Sequence, residues 1–131
     1  MDVLFVELLE QALPSMLGEA RLPTLARWLE HAAAHHVQAP VIDLTEAELA
    51  FRDGDRIRAE ALAKEAARRL GDEHPMTSRA LSLAGASAHL TCRDEIALEY
   101  YRRARASARD SISHRRAVWG EFLATVSLEE D

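Results

Sequence analysis

One pattern of small side chains recurs along the chain, 38 residues apart. It is carried by two segments, AELAFRDGDRIRAEALAKEA (residues 47–66) and GASAHLTCRDEIALEYYRRA (85–104). Their alignment pairs Ala47 with Gly85, Gly54 with Cys92, Ala59 with Ala97, and Ala66 with Ala104. A period of about 20 to 50 residues is typical of stacked repeats, because one helix pair cannot bury its apolar face alone. The pattern therefore predicts paired helices that stack.

The composition favours helices throughout. The chain of 131 residues contains 24 alanines but only 15 β-branched residues, with 5 glycines and 4 prolines. Alanine has the highest helix propensity, whereas β-branched residues favour strands. We therefore predict an all-α fold of about seven helices that forms a single domain over residues 1–131.

Apolar spacing and helix-breaking residues define the helices. The predicted ranges are Asp2 to Ala20, Pro23 to His36, a start between Pro40 and Thr45 with an end at Asp53, Asp55 to Leu70, Pro75 to Thr91, Asp94 to Arg109, and Ser111 to Leu128. The short linkers predict that successive helices lie antiparallel and adjacent. Thr45 and Glu48 have the spacing of a capping box, and Glu60 and Lys64 that of an ion pair along one helix.

Residues 40–110 resemble two tetratricopeptide repeats. Such repeats share a small residue, a turn glycine, two alanines and an aromatic residue at fixed positions. The first segment supplies Ala47, Gly54, Ala59 and Ala66, and the second supplies Gly85, Ala97, Tyr101 and Ala104, with Cys92 in place of the turn glycine. The resemblance implies an α-solenoid of antiparallel helix pairs, with repeats over about 4–36, 40–71 and 75–110 and a last helix over 111–128.

The amino-terminal half suggests a narrower likeness. The run LLEQALPSMLGEARLPTLARWLEHA, followed by AELAFRDGD, resembles the sensor region of large ATP-binding LuxR-type transcription activators of the maltose-regulator type. This resemblance implies a non-catalytic module for protein interaction or ligand sensing, cut from a larger bacterial regulatory protein. Its partners would be a protein segment or other domains of the parent chain. The alternative is a stand-alone adaptor that binds peptides.

The resemblance also implies a concave groove lined by the first helix of each repeat. The predicted groove residues are Glu48, Phe51, Arg52, Arg79, Ser82, His89, His114 and Glu121. The lysine of the carboxylate clamp found in chaperone-binding members is replaced by Leu44 and Ser82, so capture of an acidic carboxyl terminus is not predicted. Phe51 is the expected apolar contact, and Arg52, Arg79 and His89 are the expected polar contacts.

No set of residues indicates catalysis, a metal site or a cofactor. His31 and His35 share a helix face, but no third ligand follows at motif spacing. Cys92 is the only cysteine and lacks a placed base, so we interpret it as a turn residue. No apolar run is long enough to span a membrane, and the first residues do not resemble a signal peptide, which indicates a cytoplasmic protein.

The charged residues bear on which partners the chain could bind. The net charge of −6 disfavours nucleic acid as a partner. Six arginines nevertheless cluster in one region: Arg102, Arg103, Arg105, Arg109, Arg115 and Arg116. A solvated face, a contact surface for an acidic protein segment, and a nucleic-acid site remain alternatives for this cluster.

Apolar residues on the outward faces of the end helices, including Phe5, Leu9, Trp119 and Leu123, predict self-association into a homodimer.

Overall fold

Seven α-helices make up almost all of residues 2–130, the part of the chain that the computed structural model describes. They are α1 (Asp2–Gly18), α2 (Leu22–Ala34), α3 (Pro40–Arg52), α4 (Arg56–Leu70), α5 (Thr77–Leu90), α6 (Asp94–Ser107) and α7 (Ser111–Glu130). This range contains no β-strand, so the prediction of an all-α fold with seven helices is confirmed. Met1 and Asp131, which belong to the predicted domain, lie outside the described residues.

The helix ends lie within two residues of the predicted ones. The predicted capping box is wrong, because α3 already begins at Pro40, whose fixed φ suits a first helical turn. Thr45 is consequently buried inside α3, where its hydroxyl donates to the Val41 carbonyl at 2.8 Å. Side-chain caps occur instead at Asp55, which accepts from the Arg58 amide before α4, and at Asp110 before α7.

Four helices end in one backbone arrangement, the Schellman motif. Ala20, His36, Gly54 and Cys92 follow α1, α2, α3 and α5 with φ between 53° and 88°, and the same two backbone hydrogen bonds close each turn. Cys92 therefore adopts the left-handed conformation of Gly54, its partner in the 38-residue alignment, although it carries a Cβ. This conformation is unfavourable for three of the four residues, since only glycine adopts it without strain.

The small residues of the repeated pattern are buried between helices. The exposed fraction is 0% for all five alanines of the aligned helix positions: Ala47, Ala59, Ala66, Ala97 and Ala104. Ser78 reinforces one of these junctions, since its hydroxyl donates to the Ala104 carbonyl at 2.8 Å and so connects α5 to α6. Small side chains allow the helix backbones to approach closely at these positions.

The ring of Tyr101, on α6, separates two glycines on different helices. A Cβ added to Gly85 on α5 would lie 2.9 Å from Tyr101 Cε2, and one added to Gly120 on α7 would lie 2.0 Å from Cε1. The ring is 6% exposed, and this burial raises the pKa of the phenol to about 12. Tyr101 thus fills the space between α5 and α7, which only glycine leaves open.

Each helix from α3 to α6 packs against the next, and α5 also packs against α3 and α7. Helices α1 and α2 pack against each other and against α3. Arg93, just before α6, binds Glu60 of α4, and the same carboxylate accepts a hydrogen bond from Tyr100. The predicted pairing of Glu60 with Lys64 is therefore wrong, because a guanidinium offers the carboxylate two N–H donors in matching geometry.

Candidate functional site

A concave pocket of about 410 Å³ opens between α3 and α5, and we call it the α3–α5 groove. It is lined by Glu48, Phe51 and Arg52 of α3, by Arg79, Ser82, Leu83 and Ala86 of α5, by Tyr101 of α6, and by Arg116 of α7. Five of the eight residues predicted to form a groove, namely Glu48, Phe51, Arg52, Arg79 and Ser82, therefore meet at one place. These residues come together because α3 and α5, which both pack against α4, also contact each other.

An ion pair joins the two walls of the groove. Arg79 Nε lies 2.9 Å from Glu48 Oε1, with 16% and 9% of the two side chains exposed. A carboxylate with so little exposure to solvent needs a cationic partner, because an unpaired buried charge is strongly destabilising. The pair accordingly fixes the position of Arg79 and neutralises the one carboxylate of the groove lining.

Two further arginines give the groove a net positive charge. Among the described side chains, those of residues 3–130, neither Arg52 nor Arg116 lies within ion-pair distance of a carboxylate. Much of Arg116 reaches solvent, yet its pKa is lowered, first by partial burial and second by the charge of Arg79. Three guanidiniums and one carboxylate thus line the groove, and a bound anion would offset the excess positive charge.

The remaining lining contains a buried hydroxyl and an apolar wall. Ser82 is 2% exposed, and its Oγ has no hydrogen-bond partner among the described residues. Phe51 is half-buried and presents its ring beside Leu83 and Ala86, with the Arg56 guanidinium 6.0 Å from the ring centroid. A ligand that joins an apolar group to an anionic group matches this apolar wall and the arginines beside it.

The other three predicted residues lie elsewhere. His89 is held by Asp94, with 2.5 Å between Nδ1 and Oδ1, at the turn from α5 to α6. His114 is exposed on α7, and Glu121 forms ion pairs with Arg102 at 3.7 Å and Arg105 at 3.2 Å. None of the three lines the α3–α5 groove.

Leu83, Tyr101 and Arg116 belong to the groove but were not predicted there, whereas Ala86 occupies one of the groove positions that the repeat resemblance implies. Arg116 was one of the six clustered arginines, and its sequence position alone does not show that α7 directs it towards α5. Tyr101 was identified by its aromatic position in the repeat, which predicts packing but not access to the groove. The missing information is how α6 and α7 are oriented on α5.

The predicted end surfaces are exposed only in part. Trp119 is 61% exposed on α7, whereas Leu9 is 0% exposed, so the prediction that Leu9 faces outward is wrong. Phe5 and Leu123 are half-buried. Leu9 faces inward because it shares the core-facing side of α1 with Leu13.

Two other features of the described chain bear on function. The His31 and His35 rings lie 4.3 Å apart between centroids, but among the side chains of residues 3–130 no group of three or more is arranged to hold a metal ion. None of the helices in this range combines the length and apolar character needed to cross a membrane.

Neither a protein-family model, nor a curated protein, nor a solved structure matches the chain.

Proposed function

We propose that this chain is a non-catalytic module that binds a protein segment in the α3–α5 groove. The observation that carries the proposal is the pairing of an apolar wall at Phe51 with Arg52 and Arg116, two arginines without a carboxylate partner in the described structure. An apolar side chain of the segment would pack on Phe51. A carboxylate one or two residues away would accept hydrogen bonds from the arginines.

The Arg79–Glu48 ion pair supports the same ligand, since it holds one guanidinium in place before any ligand arrives. The ligand that fits is a short peptide segment with an apolar residue close to Asp or Glu.

The resemblance to the sensor region of LuxR-type activators indicates the kind of protein to which such a module would belong. By this resemblance the module belongs to a cytoplasmic protein of bacterial signal transduction or transcription regulation, and the segment comes from another domain of the parent chain or from a protein inducer. A stand-alone adaptor would take the segment from a separate protein through the same groove. The encoding reading frame separates the two, because the first requires a nucleotide-binding domain upstream and a DNA-binding helix-turn-helix downstream.

The test begins with selection of peptides from a random displayed library on the wild-type chain. We expect the selected peptides to combine an aliphatic or aromatic residue with Asp or Glu. Affinity is then measured by fluorescence anisotropy with a labelled selected peptide. Arg52→Gln and Arg116→Gln should each weaken binding about tenfold or more, since hydrogen bonds to charged groups contribute about 1.5–3 kcal/mol.

Arg68→Gln is the matched control. Arg68 lies on the exposed side of α4 and pairs with Glu65 of the same helix, so its loss should leave peptide affinity unchanged. Arg79 is unsuitable as a test, because its removal would leave Glu48 buried without a partner and destabilise the fold by about 3–5 kcal/mol. Amidation of the peptide's carboxyl terminus distinguishes an internal acidic side chain from a terminal carboxylate.

Two results would overturn the groove assignment. One is unchanged affinity in both the Arg52→Gln and the Arg116→Gln variants. The other is loss of binding only when Arg102, Arg103 and Arg105 are replaced, which would place the binding surface on α6 outside the groove.

A further inference from the structure

Helix α1 carries large apolar side chains on the side that faces away from the core. Leu9 and Leu13 are fully buried on its inner side. Val3, Leu4 and Leu8 lie on the opposite side, and each is more than half exposed. We call these three residues the α1 surface.

Helix α7 has the same two-sided character. Its core-facing residues are small, namely Ser113, Ala117, Gly120 and Ala124. Ile112, Trp119 and Phe122 lie on the opposite side, each more than half exposed, and we call them the α7 surface. The rings of Trp119 and Phe122 stack with centroids 5.6 Å apart, so they form one continuous apolar patch.

Both surfaces lie on outer helices of the described chain. Within residues 2–130, α1 packs only against α2 and α3, and α7 packs only against α5 and α6. No other helix of this range covers either surface. Large apolar side chains that are exposed side by side mark an interaction site more often than singly scattered ones do.

The two surfaces have opposite charge. Glu7 is exposed on α1, which has no basic residue, whereas Glu10 turns to His74 at 3.7 Å. Arg115 is exposed on α7, and on the adjacent α6 two arginines, Arg102 and Arg105, share the single carboxylate of Glu121. An α7 surface facing its own copy would bring arginines together, whereas an α1 surface facing an α7 surface pairs acidic with basic groups.

We propose that the α1 surface of one copy docks on the α7 surface of a second copy, so that the chain self-associates head to tail. The apolar residues supply the contact, and the charge difference selects this pairing over α7 with α7. Such an interface is heterologous, so each added copy presents a new free surface and the assembly grows into a ring or an open chain.

Sedimentation velocity from micromolar to millimolar protein tests the proposal with two neutral double variants. Leu4→Gln/Leu8→Gln blocks the α1 surface, and Trp119→Gln/Phe122→Gln blocks the α7 surface. Glutamine keeps good helix propensity, and circular dichroism checks that each variant remains folded. Ile57→Gln, which removes an exposed apolar residue from α4, is the matched control.

We expect the wild type and Ile57→Gln to show a mass that rises with concentration, and this rise should weaken as salt screens the charges. Each double variant alone should be a monomer. An equimolar mixture of the two should form a 1:1 pair that does not grow, because it contains one intact surface of each kind. A monomeric wild type, a dimer formed by the α1-blocked variant alone, or a mixture without the 1:1 pair would overturn the proposal.

Discussion

Gly120→Ala should unfold the chain far more easily than a change of one methyl group normally does. The new Cβ would lie 2.0 Å from Tyr101 Cε1, where ordinary contacts between carbon atoms are about 3.5–4.0 Å. The ring or α7 must therefore move by about 1.5 Å or more. The ring cannot retreat far towards α5, because it already lies close to the backbone of Gly85. A Cβ built on that glycine would be only 2.9 Å from the opposite ring edge.

The expected loss of unfolding free energy is about 3 kcal/mol, the upper end of the range for overpacked cores. It would appear despite a gain of about 1 kcal/mol in helix propensity when glycine becomes alanine. For a chain of this length the melting temperature should fall by about 10 °C. Urea denaturation followed by circular dichroism measures the free energy, and thermal melts measure the temperature.

Alanine substitutions at two other glycines serve as comparisons for Gly120→Ala. Gly85→Ala should be destabilising by a smaller amount, since its closest contacts would be 2.9–3.0 Å. Gly18→Ala, with no atom within 4 Å of the new Cβ, should leave stability equal or raise it by about 0.5–1 kcal/mol. Tyr101→Leu should reduce the effect of Gly120→Ala in a double-mutant cycle. A Gly120→Ala chain as stable as the wild type would refute the proposed role of the ring.

Three further changes test other parts of the fold. Cys92→Gly should raise the unfolding free energy by about 0.5–1 kcal/mol, because it relieves the left-handed strain at the end of α5; unchanged or lower stability in urea would contradict this. Ala97→Leu should destabilise by about 1–3 kcal/mol, because Ala97 is fully buried, and a neutral result there would exclude close helix packing. Ala63→Leu should destabilise similarly, because Ala63 is also fully buried, although it aligns with Tyr101, the aromatic position of the second repeat. The pKa of Tyr101 is raised to about 12, whereas the unfolded chain has the ordinary value of about 10. The burial of the neutral phenol therefore contributes stability below pH 10, and this contribution is lost as the pH rises from about 10 to 12. Urea titrations across this interval should show a smaller decrease in unfolding free energy for Tyr101→Phe than for the wild type.

Much of the fold follows from local rules that the sequence displays directly. Alanine content and apolar spacing predict the helices, and Pro40 and Gly54 define two boundaries. The 38-residue alignment predicts which small residues are buried, and Ala59 and Ala97 are indeed fully buried. These features depend on periodicity, which a sequence shows without reference to distant residues.

The details that sequence analysis missed depend on how helices are placed in space. Glu60 binds Arg93, which is 33 positions away and reaches it only once α4 and α6 are packed. His89 turns to Asp94 instead of the groove, because the short connection to α6 brings that carboxylate within reach. Arg116 enters the groove through the orientation of α7. Helix orientation is set by the whole core, and no single segment encodes it.

The place of Tyr101 has a consequence for how the groove would receive a ligand. The ring is both part of the groove lining and the spacer between Gly85 and Gly120, so the position of this wall is set by contacts that leave no room for adjustment. A groove of this kind is preorganised. Binding would then require little ordering of the protein, and the entropic penalty of association would fall mainly on the peptide. Affinity should consequently respond more to stiffening of the peptide than to changes that loosen loops elsewhere in the chain.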